Sequence, residues 1–170
     1  MKNIVRVVFA VMLIAGVAAC AKKKVKQEAP PVETTSETTT TGNENVGKYT
    51  RESLDTDSCL RQRVVYFDLD RSEIKPEFQA QIACHAAYLR QFPDARVRLE
   101  GNADERGSRE YNLGLGERRG NAVQSALSAA GASSAALNVV SYGEERPVCR
   151  QHDESCWSKN RRVEIVYTAK

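Results

Sequence analysis

A loop and a helix of this chain carry opposite charges at a spacing suited to binding a zwitterion. Asp104 lies within the run Gly101–Gly107, and Arg119 follows it fifteen residues later. A carboxylate accepts hydrogen bonds from an ammonium group, and a guanidinium donates a forked pair to a carboxylate. A ligand that carries both groups could therefore bind between them. The alternative is a direct Asp104–Arg119 ion pair that only ties the loop to the helix.

The strands that must position these residues are visible as short apolar or alternating segments. Val97 and Leu99 alternate with charged residues, which is typical of a half-buried strand with those two side chains facing inward. Asp104 therefore lies in the loop after a strand, and we expect a surface-placed carboxylate whose replacement by alanine leaves folding nearly intact. The four predicted strands are Arg63–Phe67, Arg96–Glu100, Leu137–Tyr142 and Val163–Tyr167.

Helical periodicity predicts two main helices and a short one. In the first, Ser72 is the expected N-cap, Pro76 lies in the opening turn, and Pro93 ends the element. Apolar residues at helical spacing then continue through a long second helix that Gly131 terminates. In that helix Asn112, Leu115 and Arg119 fall on one face. The apolar residues of the first helix are Phe78, Ile82, Ala86 and Leu89, and the short helix is expected within Ser155–Asn160.

This order of elements predicts an α+β domain of βαβαβ type, with helices packed on a mixed sheet. The folded part begins near Cys59, and we assign residues 51–170 to the domain. Residues 20–50 lack apolar periodicity and predict a disordered tether. Residues 1–19 have a basic flank and a short apolar stretch, typical of an export signal. Val17-Ala18-Ala19-Cys20 resembles a lipobox, so Cys20 is the predicted lipidation site; ordinary secretion is the alternative.

Composition argues against several function classes. The whole chain has 25 Lys and Arg against 22 Asp and Glu, and without Lys2 and Arg6 of the leader the count is 23 against 22. Such a balance does not indicate nucleic-acid binding. No nucleophile constellation, phosphate-binding loop or paired zinc motif occurs, so we expect neither an enzyme nor a cofactor. Of the two histidines, His85 fits the polar face of the first helix.

Four cysteines follow Cys20, and an exported chain enters an oxidising compartment. Two disulfides are the simplest interpretation: Cys149–Cys156 would close a small loop, and Cys59 could reach Cys84. The sequence alone allows three pairings. A zinc site using Cys149, His152 and Cys156 is the alternative, although no fourth ligand is evident.

Several ordered motifs of the domain resemble the family of peptidoglycan-associated lipoproteins, whose folded part is an OmpA C-terminal-like domain. The resemblance covers Cys59 to Lys170 and implies helices packed on a four-stranded mixed sheet. In three features the chain departs from the common pattern: Asn102 replaces a frequent His, Gly116 and Gly120 interrupt the long helix, and cysteines are added. The motifs are Val65–Asp70, Gly101–Gly107, Asn112 with Leu115, Arg119, Ser141–Pro147 and Asn160–Arg162.

The same resemblance implies a function. The ligand would be the diaminopimelate of the peptidoglycan stem peptide, held by Asp104 and Arg119, and the protein would anchor the outer membrane to the wall from the periplasmic side. TolB and other Tol proteins would be partners. The alternatives are an OmpA-like lipoprotein of a secretion or motility machine, or a cysteine-dependent metal or redox lipoprotein. The remaining residues expected to line the site are Phe67, Asp68, Leu69, Asp70, Arg106 and Asn112.

Overall fold

The computed structural model describes residues 47–170, which build an α+β domain around one mixed sheet. The strands lie in the order β1-β4-β2-β3. β2 and β3 are parallel, whereas β4 runs antiparallel to both β1 and β2. The predicted four-stranded mixed sheet is therefore confirmed. The strands are β1 (Val64–Tyr66), β2 (Arg96–Asn102), β3 (Leu137–Gly143) and β4 (Arg162–Ala169).

Among residues 47–170, four α-helices accompany the sheet, and the N-cap predicted for the first of the two main helices is wrong. Ser72 does not cap a helix; a 3-10 turn at Pro76–Phe78 precedes the α-helix, and the residue before that turn, Lys75, makes no side-chain cap. Ser72 lies in the irregular segment between β1 and that 3-10 turn. The helices are α1 (Ser53–Thr56), α2 (Gln79–Gln91), α3 (Arg109–Ala129) and α4 (Glu154–Asn160).

Both ends of α3, the helix that carries Arg119, are defined by local hydrogen bonds. At the start, the Ser108 hydroxyl accepts from the Tyr111 N–H, as an N-cap does. At the end, Gly131 has φ +97°, and its N–H donates to the Ser128 carbonyl while Ala132 N–H donates to Leu127. This paired arrangement is the Schellman motif, which requires a left-handed residue that glycine adopts without strain. The stop predicted at Gly131 is confirmed.

Glycines allow α3 to approach the sheet closely. A Cβ atom on Gly101 of β2 would lie 1.9 Å from the Gly116 carbonyl oxygen, and one on Gly120 would lie 2.5 Å from a methyl group of Val139. No side chain fits in such a space. Gly116 and Gly120 therefore serve helix–sheet packing, which offsets the cost of about 1 kcal/mol that each glycine imposes on a helix.

The hydrophobic core lies where the helices meet the sheet, and it extends to residues before the first strand. Val97, Leu99 and Val123 are almost completely buried. Tyr49, at the end of the predicted tether, is also buried, and its N–H donates to Gln91 Oε1 at 3.0 Å. Leu54 of α1 is buried as well. The packed part of the chain therefore includes residues N-terminal to the predicted start near Cys59.

The predicted export signal at 1–19, the predicted lipidation site Cys20 and most of the predicted tether lie outside the described residues. Among residues 47–170, no helix combines the length and the hydropathy needed to cross a bilayer.

The four remaining cysteines form the two disulfides favoured above. Cys59 is bonded to Cys84 with a Cα separation of 6.3 Å, and Cys149 is bonded to Cys156 with a Cα separation of 5.0 Å. The first bridge ties the segment before β1 to α2. The second closes the loop that leads into α4, so neither of its sulfurs is a free thiolate for zinc.

His85 lies in the core, not on a polar helix face as the sequence suggests. Its Nε2 bonds the Gln62 carbonyl and its Nδ1 bonds the Tyr167 hydroxyl, both at 2.9 Å. A carbonyl only accepts, so Nε2 carries the proton and Nδ1 accepts from the tyrosine. These two bonds explain why a histidine is tolerated in the core.

Burial of His85 predicts a loss of stability in mild acid. It lowers the His85 pKa to about 4 from an ordinary 6.5, although the bond to the Gln62 carbonyl acts in the opposite direction. Because the unfolded chain takes up this proton first, the free energy of unfolding should fall by about 3 kcal/mol as the pH drops from 6.5 to 4. Urea denaturation across this range, compared with His85→Gln, measures the effect. Equal pH slopes in the two proteins would contradict it.

Candidate functional site

The loop between β2 and α3 presents a buried carboxylate. Asp104 is only 4% exposed. Its Oδ1 accepts from the Arg106 backbone N–H at 3.0 Å and from Arg106 Nε at 3.2 Å. Its Oδ2 accepts from Arg106 Nη2 at 2.7 Å and from Arg161 Nη1 at 3.2 Å. The expectation of a surface-placed loop carboxylate is therefore wrong, because two guanidinium groups draw Asp104 inward.

These bonds keep Asp104 ionised. Burial by itself would raise the pKa of the carboxyl group, but hydrogen bonds from Arg106 and Arg161 outweigh that effect, and the pKa lies below its usual value. A buried carboxylate that carries a full charge is a strong acceptor for a cation.

Arg119 is completely buried on the sheet-facing side of α3. Its Nε donates to the Arg71 carbonyl at 2.8 Å, its Nη1 to the Asn102 carbonyl at 2.9 Å and its Nη2 to the Asp68 carbonyl at 3.0 Å. It therefore fastens the β1–α2 loop to the end of β2. The Arg119 guanidinium also lies over the Phe67 ring, 5.3 Å from its centre.

No carboxylate pairs with Arg119 among the described residues. Burial, together with the nearby charge of Arg161, lowers the Arg119 pKa to about 10, so the group stays cationic at neutral pH. Three of the five N–H groups of a guanidinium are used by the carbonyl bonds. The alternative of a direct Asp104–Arg119 ion pair is not realised, since Asp104 bonds Arg106 and Arg161.

Asp104 and Arg119 line the same cavity, which has a volume of about 290 Å³. Two carboxylates and two guanidiniums are present in its wall, so its charges balance and it suits a ligand with charges of both signs. Its lining consists of Leu69, Asp70, Asp104, Arg106, Gly107, Tyr111, Asn112, Leu115 and Arg119.

Six of the eight expected site residues lie in this wall, and Phe67 and Asp68 do not. The Phe67 side chain is buried in the core, and the Asp68 carboxylate pairs with Lys75 at 2.7 Å. Both residues line a neighbouring cavity of about 310 Å³ instead. Phe67 and Asp68 directly follow β1, whereas Leu69 and Asp70 form a turn in which Asp70 has φ +56°. The sequence alone does not reveal where the chain turns.

Asn112 supplies an acceptor that no described residue uses. Its Nδ2 donates to Glu144 Oε2. Because a carboxylate can only accept, this bond fixes the amide orientation. The opposite atom, Oδ1, is buried and has no hydrogen-bond partner among residues 47–170. A ligand donor would satisfy it, since an unpaired buried acceptor is energetically costly.

Glu105 and Arg106, which follow Asp104 in the chain, contact α4 and the loop closed by Cys149–Cys156. Glu105 accepts from Trp157 Nε1 at 2.7 Å and bonds His152 Nδ1 at 2.6 Å. The hydrogen bond from His152 and its charge hold the pKa of Glu105 below its usual value. The Arg106 guanidinium lies 4.2 Å from the Trp157 ring centre. The added cysteines thus border the site.

Two contributors to the site, Arg161 and Trp157, are absent from the residues expected to form it. Arg161 lies between α4 and β4, and both of its neighbours, Asn160 and Arg162, are buried as well, so neither helical nor strand periodicity predicts its burial. Its place in the Asn160–Arg162 motif was the signal available in the sequence. No spacing pattern links Trp157 to Arg106, because their contact depends on how α4 packs.

Known proteins are similar to this chain over most of its length. Residues 66–161 match the OmpA family. A peptidoglycan-associated lipoprotein of Pseudomonas putida is 51% identical over 114 residues, covering 66% of this chain and 68% of that one. Its counterpart in Pasteurella multocida is 36% identical and covers 98% of this chain and 100% of its own. The crystal structure of the peptidoglycan-associated lipoprotein from Burkholderia pseudomallei superposes with a TM-score of 0.66 at 44% identity, covering 68% of this chain and 98% of that one. The chain therefore belongs to the OmpA family and, within that family, to the peptidoglycan-associated lipoproteins.

Proposed function

We propose that the domain binds the diaminopimelate residue of the peptidoglycan stem peptide noncovalently. The observation that carries the proposal is one cavity lined by a buried, ionised Asp104 and a buried, cationic Arg119. The free end of diaminopimelate bears an ammonium and a carboxylate on one carbon. The carboxylate would accept from the two N–H groups of Arg119 that are not bonded to carbonyls. The ammonium would donate to Asp104 and to the unpaired Oδ1 of Asn112.

The proposed role is that of an anchor. Lipidation of Cys20 would hold one end of the chain in the outer membrane, and the domain would hold the wall from the periplasmic side. The names of the relatives, which describe lipoproteins associated with peptidoglycan, support this assignment. We further propose a place in a Tol–Pal-like system for envelope integrity and cell division, with TolB and other Tol proteins as partners.

Replacing Asp104 by asparagine is expected to weaken wall binding by about 2–4 kcal/mol, because the buried charge that attracts the ammonium is lost. Cosedimentation of the full-length protein in detergent with purified diaminopimelate-type peptidoglycan measures this. Thermal unfolding of both proteins confirms that each is folded at the temperature of the assay.

The matched control is Asp94→Asn, which removes an exposed aspartate paired with Arg51 at the opposite end of β2. Its wall binding should equal that of the wild type. If the folded wild type fails to sediment with the wall, or if Asp104→Asn binds as well as Asp94→Asn, the proposed site is wrong.

A further inference from the structure

Arg106 stands where the ligand's ammonium would have to bind. We infer that Arg106 is a specificity-determining residue: its guanidinium competes with the ligand for Asp104 and must leave that carboxylate when a charged amine binds. This inference rests on the proposed function and adds the requirement that the amine be charged.

The competition follows from the hydrogen bonds of Asp104. A carboxylate offers about four acceptor positions on its two oxygens. Arg106 and Arg161 fill four of them, with two bonds to each oxygen. An incoming ammonium can bond Asp104 only if one of these donors withdraws.

The Arg106 side chain is the donor that can withdraw. The Arg106 backbone N–H is fixed by the loop. The Arg161 side chain is 6% exposed and is also held by the Phe67 carbonyl, at 3.0 Å, and by Glu154. The Arg106 side chain is 32% exposed, and its other carboxylate partner, Glu154, is 62% exposed. Displacing the Arg106 side chain therefore disrupts fewer buried contacts than displacing the Arg161 side chain.

The Arg106 guanidinium already contacts two further partners besides Asp104. Arg106 lies 4.2 Å from the centre of the Trp157 ring, and its Nη2 is 3.5 Å from Glu154 Oε2. Both partners belong to α4, outside the cavity wall. Trp157 is held in turn by its bond to Glu105. Arg106 can therefore release Asp104 and keep an aromatic face and a carboxylate as partners.

Selectivity follows from charge. When Arg106 leaves, Asp104 loses a cation at close range, and only a ligand that supplies a new cation restores the balance. A charged amine does so. An acylated amine is neutral, so it cannot replace the guanidinium. The site should therefore discriminate strongly between a free amine and its acylated form on an otherwise identical ligand.

The test compares Arg106→Gln with the wild type, using full-length protein in detergent and calorimetric titration. The probes are a stem tripeptide ending in meso-diaminopimelate and the same peptide acetylated on the side-chain amine. If Arg106 covers Asp104 in about nine of ten molecules, its removal should strengthen binding of the free-amine peptide about tenfold. The acetylated peptide should show no such gain.

Arg109→Gln is the matched control, because Arg109 is an exposed arginine three residues away that pairs with Glu145. It should leave both affinities unchanged. A gain for both peptides would mean that Arg106 only narrows the cavity, and equal or weaker binding of the free amine by Arg106→Gln would mean that it does not compete. Either result overturns the inference.

A measurement on the wild type avoids dependence on any variant. The Arg106 Nε–H resonance should shift when the free-amine peptide binds, since its bond to Asp104 Oδ1 is broken. An unchanged resonance in the bound protein overturns the inference while leaving the proposed function intact. Absence of binding by every protein, Arg106→Gln included, overturns the proposed function and this inference together.

Discussion

Arg119→Ala is expected to lower the free energy of unfolding by about 4 kcal/mol and to abolish wall binding. The substitution removes the donors of the Asp68, Arg71 and Asn102 carbonyls and leaves a void where the arginine was completely buried. Unpaired buried acceptors and a core cavity each contribute to that loss. Urea denaturation and wall cosedimentation measure the two effects.

Arg118→Ala provides the control in the same helix turn. Arg118 is exposed, and its guanidinium lies 5.5 Å from the Tyr111 ring centre. We expect a change in stability within about 0.5 kcal/mol. Similar losses in the two variants would show that the carbonyl bonds of Arg119 do not hold the loop.

Gly101→Ala is expected to destabilise the domain by about 3 kcal/mol or more, because the added methyl group has no space. Its Cβ would lie 1.9 Å from the Gly116 carbonyl oxygen and 2.6 Å from the attached carbon. Both are backbone atoms of α3, so no side-chain rotation relieves the clash. The helix would have to move away from β2, and Asn112 and Arg119 would move with it.

Gly114→Ala is the matched control, since it adds the same methyl group to an open position of α3. The nearest atom to the new Cβ is the end of the Arg118 side chain at 3.4 Å. Here alanine should stabilise the protein by about 0.5–1 kcal/mol, as it does in helices generally. Chemical denaturation of both variants should give shifts of opposite sign. A neutral Gly101→Ala would contradict the close packing described above.

Periodicity was sufficient to predict the main elements of this fold. Val97 and Leu99 face the core as their alternation indicates, and Gly131 ends α3. Asp104 and Arg119 were identified from residue type and spacing, and they do line one cavity. These features depend on local sequence, because side chains return to the same face every 2.0 residues in a strand and every 3.6 residues in a helix.

The features that the sequence did not reveal depend on contacts between distant segments. Asp104 is buried because Arg161, 57 residues away, reaches it. His85 is tolerated in the core because its Nε2–H donates to the Gln62 carbonyl and its Nδ1 accepts from the Tyr167 hydroxyl. Hydrogen bonds between distant segments allow a polar or charged residue to be buried even though residues of its type are usually more exposed.

The Cys59–Cys84 bridge has a mechanical consequence for a wall anchor. Tension from the membrane would act on the N-terminal side of the domain. Residues 47–58 lie outside the loop closed by the disulfide, so they can detach from the domain without any bond inside that loop being stretched. At Cys59 the load crosses the bridge to Cys84 and continues along α2 and β2 towards Asp104. The segment between the two cysteines is bypassed. It contains β1 and the loop whose carbonyls Arg119 holds, so one wall of the cavity would be shielded from the pull on the proposed anchor.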